Sequence, residues 1–303
     1  MSAAVPGTVG TALIAGASSG IGASYARSLA AQGYNLVITA RRTARLEELA
    51  AELRTAHGRD VEILPADLSS PEGLEKVKKR ITGGSAAGDP PADAAAAGNP
   101  PAGESFSGSV PIDFLVFAAG FMTRGHFADL DESVVSSMVN LHCLGAAALT
   151  RSVLPGMIER NRGRIVLVSS LAAYLTTAEY AEYSATKAFL NTLAIGIRDE
   201  LAATEVRIQS LCPGLMKTEL FDAPTMNGFR YEGVPEKYWL DPETVVKESL
   251  HRLEHRYRPV LVPTTGAKIF LGILRAPIIG SLIQGAMGAA ARKRIRAGKP
   301  AMY

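Results

Sequence analysis

The chain has little cysteine and few aromatic rings. Of its 303 residues two are cysteines, Cys143 and Cys212, and one is tryptophan. Neither cysteine belongs to a C-x-x-C pair and both fall in apolar stretches. That excludes a disulfide scaffold and reads as two reduced, buried thiols of a cytosolic protein. An excess of charge of one sign is missing too. The formal net charge is +3 and the cations are scattered, which excludes the basic field of a nucleic-acid binder. No basic stretch precedes an apolar core at the N-terminus, so no secretory signal is expected there.

What is present is the balance of a soluble globular domain. Apolar residues make up 47% and charged residues 20%, and the length suffices for one large α/β unit. Short apolar runs alternate with helical periodicity. Strands are expected at 9–15, 35–40, 61–64, 112–117, 164–169, 206–211 and 259–262. Helices are expected over 21–31, 45–57, 72–81, 132–159, 181–203 and 242–255. Near-continuous apolar strands between amphipathic helices imply a parallel sheet covered on both faces, the Rossmann-like, doubly wound α/β architecture in a single domain.

Two segments depart from that rhythm. Residues 82–110 are almost entirely Gly, Ala, Pro and Ser, with few charges and one aromatic, Phe106. Such a composition buries too little apolar area to offset its ordering entropy and reads as a disordered surface insertion. The catalytic domain is expected over 1–263, and 264–303 form an apolar tail ending in the basic run Arg292-Lys293-Arg294-Ile295-Arg296. The uncharged run 276–291 is shorter than the ~20 residues of a spanning helix. The tail admits three readings: a helix packed on the domain or a subunit, a flap over the substrate, or an interfacial helix making peripheral membrane contact.

The chemistry-bearing residues form two groups. Gly16, Ser18, Ser19, Gly20, Ile21 and Gly22 lie between the first expected strand and helix. There glycines let phosphate oxygens approach the backbone and a helix N-terminus offers unpaired N–H groups. At the end of the second strand Ala40 is followed by Arg41 and Arg42 rather than by a carboxylate. A guanidinium there suits a 2′-phosphate, so NADP(H) is expected over NAD(H). The second group is Ser170, Tyr183 and Lys187. Tyr183 and Lys187 are four apart and share a helix face. An ammonium beside a phenol favours the phenolate, so the tyrosine is expected to be acidified towards working pH. His251 and His255 have metal-like spacing but no evident third ligand, and no metal is expected.

As a set these residues resemble the short-chain dehydrogenase/reductase family, classical type, over nearly all of residues 8–262. The family's Gly-x-x-x-Gly-x-Gly turn is matched at Gly16, Gly20 and Gly22, with Ala15 where threonine is usual. Asp67-Leu68 matches its acidic position on the adenine side, and Ala118, Ala119 and Gly120 its backbone contact after the fourth strand. Ser170, Tyr183 and Lys187 match its catalytic residues. Pro213, Gly214 and Thr218 match the stretch holding the nicotinamide end. The resemblance implies an NAD(P)-dependent oxidoreductase acting on CH–OH or C=O groups and a homo-oligomer, while the reduced thiols and the apolar, basic tail lead to the expectation of a cytoplasmic or membrane-peripheral location.

Two departures stand out. Phe117-Ala118-Ala119-Gly120 replaces the family's Asn-Asn-Ala-Gly, which removes amides that brace neighbouring strands. The fourth catalytic residue, usually asparagine, falls on His142 once Gly145 is matched to the family's Asn-x-x-Gly. Asn140 is the alternative; residues two apart on a helix point about 200° apart, so only one faces the site. His142 is expected to relay protons to Lys187. The loop 215–240 carries Phe221, Met226, Phe229, Tyr231, Tyr238 and Trp239, which suits a small apolar carbonyl or alcohol substrate. The rival is a catalytically silent cofactor-binding scaffold or sensor.

Overall fold

The computed structural model describes residues 9–83, 110–174, 178–216, 218–221, 224–226 and 235–275, together with 285, 289, 290, 293 and 296. Most of the insertion and of the tail lies outside the described residues.

The strands are β1 (Gly10–Ala15), β2 (Tyr34–Thr39), β3 (Val61–Ile63), β4 (Phe114–Phe117), β5 (Arg164–Val168), β6 (Arg207–Leu211) and β7 (Val260–Leu261). They form one seven-stranded parallel sheet in the order β3-β2-β1-β4-β5-β6-β7. The chain winds outward from β1 to β3, then returns to the other side of β1 at β4. The carboxyl ends of β1 and β4 therefore flank a topological switch point, where open α/β sheets bind ligands.

Alternation along β1 splits the core. Ala12 and Ile14 join one cluster, which includes residues of α1 (Gly20–Ala31), α2 (Thr43–His57) and α7 (Pro242–Glu254). Leu13 and Ala15 join the other, with residues of α3 (Pro71–Thr82), α5 (Ala146–Glu159) and α6 (Ala181–Glu200). Successive residues point to opposite faces, so a strand apolar at every position is buried on both. Local signals set the helix ends. Ser70 accepts from Gly73 N–H at 3.1 Å ahead of Pro71, and Asp241 accepts from Thr244 N–H at 2.8 Å ahead of Pro242. Each pairs a side-chain cap with a proline that needs no hydrogen bond.

The long central helix begins as α4 (Glu132–Val139), passes through a π-helical segment at Asn140–Gly145 and continues as α5. The periodicity did not announce that interruption. A further helix, α8 (Thr265–Arg275), opens the tail. The missing amide braces have a substitute: Phe117 is buried in the core, and Ala118 N–H bonds Ala15 carbonyl at 2.8 Å, holding β4 to β1 beyond the ladder.

Candidate active site

The glycine turn is shaped by what surrounds it. Gly16 has φ +86°, and a Cβ there would lie 2.5 Å from Ala119 N and 2.7 Å from the carbonyl carbon of Ala118. A Cβ on Gly22 would lie 2.1 Å from the Gly16 oxygen. Only glycine fits either position. The turn thus abuts the backbone of 118–119, and Thr218 packs over Gly20, 3.2 Å from where its Cβ would be. Helix α1 opens at Ser19 with no side-chain cap and no acidic residue in its first turn. Its first N–H groups and positive dipole end are left for an anion. This cradle fits the pyrophosphate of a dinucleotide.

The adenine end is less uniform than the sequence suggested. Arg41 is exposed and, among the described residues, has no hydrogen bond or ion pair; its charge reaches Asp67. Arg42 instead contacts Ser18 and Ser19 and pairs with Glu219. Burial pushes the Asp67 carboxyl up, but bonds from the Ser69 hydroxyl and N–H, aided by Arg41, outweigh it and hold it below its ordinary value. Leu68 is buried, and its carbonyl faces Gly145 of the π segment. Gly16–Gly20 also spells Gly-x-Ser-x-Gly, the string of a hydrolase elbow. Here Arg42 donates to the Ser18 hydroxyl at 3.1 Å, and among the described residues no histidine bonds it.

At the carboxyl ends of β5 and β6 the catalytic candidates converge. Ser170 follows β5, with its hydroxyl accepting from Ala172 N–H at 3.1 Å and near enough to the Tyr183 phenol to favour its ionised form. Tyr183 and Lys187 share one face of α6 and both are buried. The Lys187 ammonium lies 5.6 Å from the Tyr183 ring centroid and donates to Val168 carbonyl at 2.9 Å. Pro213 carbonyl accepts from Leu171 N–H at 2.9 Å, and Gly214 sits between Leu171 and Leu240, which ties the stretch after β6 to the serine.

Electrostatics here differ from expectation. Burial pushes the Tyr183 phenol up to about 12, a rise the Ser170 hydroxyl only partly offsets. Burial also brings Lys187 down to about 8. The acidified phenol is therefore not a property of the cofactor-free protein. Desolvation penalises both charged forms, and the ammonium faces the ring and a carbonyl rather than the hydroxyl.

His142, not Asn140, is the residue turned inward: it is fully buried while Asn140 is exposed. Its Nε2 accepts from Phe121 N–H at 3.1 Å and its Nδ1 lies 2.9 Å from the Thr186 hydroxyl, which donates to Tyr183 carbonyl at 2.9 Å. A Cβ on Gly120 would stand 2.8 Å from that Nε2 and 3.5 Å from the Lys187 ammonium. The ring thus occupies the expected place. Burial, then the charge of Lys187, hold it well below the ordinary histidine range. With both nitrogens engaged, the neutral ring has none left for the relay expected of it.

An apolar wall faces Tyr183. Met122, Met138, Tyr180 and Met226 pack with it, joined by Phe121 and Trp239. From the loop 215–240, Met226 and Trp239 reach this wall, whereas Tyr238 is exposed. Phe229, Tyr231 and the Phe221 side chain lie outside the described residues. Sequence reasoning missed Met122, Met138 and the buried Arg124–Glu179 ion pair at 3.1 Å, which ties the segment after Gly120 to the approach to α6. Glu179 at φ +71° was the only backbone oddity there, and nothing in its residue type signals it. His251 and His255 stack at 4.7 Å, and among the described residues no third ligand joins them.

Comparison with known proteins agrees with this geometry. The family model for short chain dehydrogenases matches residues 10–85 and 104–226. An uncharacterized oxidoreductase of Bacillus subtilis (strain 168) is 34% identical over 215 residues, covering 70% of this chain and 77% of the relative. A short-chain dehydrogenase from Sphingobium yanoikuyae, solved in complex with NADPH, superposes with a TM-score of 0.73 at 28% identity, covering 92% of this chain and 95% of that one. A bulky-bulky ketone specific alcohol dehydrogenase from Comamonas testosteroni superposes at 0.69 and 25% identity, covering 90% and 94%.

Proposed function

The chain belongs to the short chain dehydrogenase family, an NAD(P)-dependent oxidoreductase, and from that premise we propose that it is an NADP(H)-dependent reductase of bulky apolar carbonyl compounds, or the matching alcohol dehydrogenase. The observation that carries the reading is the gathering of Ser170, the buried Tyr183 and the buried Lys187, whose ammonium lies 5.6 Å from the Tyr183 ring centroid, beside the glycine cradle. When bound, the nicotinamide supplies or accepts the hydride.

This chain's residues do the rest. Gly16, Gly20, Ile21 and Gly22 present backbone to the pyrophosphate, with Ala118, Ala119 and Gly120 alongside. Pro213, Gly214 and Thr218 close over the nicotinamide end, and Asp67 and Leu68 border the adenine. Ser170 and Tyr183 each donate a hydrogen bond to the substrate oxygen. Tyr183 then passes its proton to that oxygen as the alcohol forms. Lys187 holds positive charge near the phenolate so produced and holds the ribose hydroxyls. His142 fixes the segment 120–121 against α6.

Arg41, exposed and next to Ala40 rather than a carboxylate, favours a 2′-phosphate and therefore NADP(H). The methionine and aromatic wall favours a bulky apolar group on the carbonyl. Val139, Leu144, Phe189 and Ile195 are exposed apolar residues on the central helix and α6, which supports a homo-oligomer. The apolar start of the tail supports peripheral membrane contact of an otherwise cytoplasmic protein. An assay following NADPH loss with a panel of aliphatic and aromatic ketones tests the function. Turnover of one of them, lost in Tyr183→Phe, is the expected result. Tight NADPH binding with no turnover on any carbonyl, unchanged in that variant, would leave a cofactor-binding scaffold instead.

A further inference from the structure

We propose that Glu219 sets cofactor selectivity: its carboxylate fills an anion site that a 2′-phosphate would otherwise claim, and so weakens NADP(H) binding without touching NAD(H). The inference rests on the NADP(H) reading above. Four donors from two parts of the chain converge on this spot. Arg42 Nη1 meets Glu219 Oε2 at 2.5 Å, and Arg45 Nη2 lies 3.8 Å from Oε1. Arg42 Nη2 donates to the Ser18 hydroxyl at 3.1 Å and to the Ser19 hydroxyl at 2.9 Å. The serines belong to the glycine turn and the arginines to the start of α2. Glu219 comes from the segment after β6, 177 residues from Arg42. Thr218, its neighbour, already packs over Gly20, so the carboxylate is delivered to the cofactor turn by a fixed contact.

Two guanidiniums gather around this single carboxylate, and Arg42 also draws in the Ser18 and Ser19 hydroxyls, so the site holds more donors than one carboxylate uses. Both partners of the Arg42–Glu219 pair are 47% exposed, so the pair is solvent-screened and exchanges readily. A doubly charged phosphate group outcompetes it, but must either displace Glu219 or sit beside a like charge. NADH has no such group and leaves the pair intact. Arg41, one residue earlier and with no hydrogen bond or ion pair among the described residues, is the cation that Glu219 does not attenuate.

The test is the dissociation constant for NADPH and for NADH, from quenching of protein fluorescence, in wild type, Glu219→Gln and Glu219→Asp at low salt. Glu219→Gln is expected to tighten NADPH about three- to fivefold and to move NADH by less than about twofold. Glu219→Asp should stay near wild type. The gain should vanish at about 1 M salt, where the Debye length is ~3 Å. A wild type preferring NADPH, with a ratio unmoved or lowered by Glu219→Gln, overturns the inference alone. A wild type preferring NADH overturns the cofactor reading and the inference with it.

Discussion

The candidate cofactor cradle and the candidate catalytic floor lie side by side along the carboxyl edge of the same sheet, yet they are built from opposite materials. The cradle is made of side chains that are missing: Gly16, Gly20, Gly22 and the alanines after β4 leave backbone facing the cleft. The floor is made of ionisable side chains that are present and dry: Tyr183, Lys187 and His142. In the cradle an added atom collides and nothing need be charged. In the floor nothing collides, but burial opposes every charge the chemistry requires. The first region is therefore steric and unforgiving in folding, and the second is electrostatic and held against stability.

The sharpest way to break this contrast is Tyr183→Phe. Removing one hydroxyl from a packed ring should leave the fold and the NADPH affinity near wild type. Turnover should fall about 10²- to 10⁴-fold, ~3–5 kcal/mol of barrier. Equal losses of turnover and cofactor affinity would mean that the ring is a steric part of the cradle.

Next is Gly22→Val in the cradle. Its Cβ would meet the Gly16 oxygen at 2.1 Å, so the turn must move. A fall of about 3 kcal/mol in stability is expected, within the usual range for overpacking a tight site. Saturating NADPH should no longer raise the melting temperature, which reads cofactor binding directly. A variant that keeps both would show the turn to be pliant.

The same contrast explains what the sequence disclosed. Strand and helix order were legible because buried parallel strands and amphipathic helices have different periods, and the glycine turn because its constraint is written in residue type. Ser170, Tyr183 and Lys187 were legible by spacing. Their protonation was not: burial, which raises the phenol to about 12, depends on Met122, Met138 and Met226 arriving from distant segments. Likewise Arg41 and Arg42 look equivalent until Glu219 is placed beside one of them. The π-helical segment at Asn140–Gly145 left no mark in apolar periodicity, though it sits where His142 turns inward.

Lys187→Met separates stability from function within the floor. Lys187 lies at about 8 in the folded protein against an ordinary 10.5. Below pH 8 both folded and unfolded chains carry the proton, and the fold bears the full burial penalty. Between about pH 8 and 10.5 the unfolded chain binds more protons, so wild-type stability rises with pH. The methionine variant, uncharged throughout, should be more stable by about 1–3 kcal/mol at neutral pH, and its advantage should fade between about pH 8 and pH 10.5. Denaturant unfolding at pH 7 and pH 10.5 checks this. No gain at pH 7 would mean that the bond to Val168 carbonyl offsets burial.

The smallest expected effect concerns His142, where the two regions meet. The ring spans Phe121 N–H on the cradle side and the Thr186 hydroxyl on the floor side, the arrangement of a strut. His142→Phe takes the acceptor from Phe121 N–H and one of the two bonds from the Thr186 hydroxyl, a loss of about 1–2 kcal/mol. A strut predicts that turnover falls less than about tenfold and that the pH–rate profile keeps its shape. Stability carries the distinguishing sign. Burial holds the wild-type imidazole well below its ordinary value, so the unfolded chain alone takes up that proton as pH falls below about 6.5, and wild type weakens. Phenylalanine has no such proton, so the stability gap between the two proteins should narrow at pH 5. A hundredfold loss of turnover with a shifted profile would instead make His142 the relay, and would require one of its two hydrogen bonds to open during the reaction.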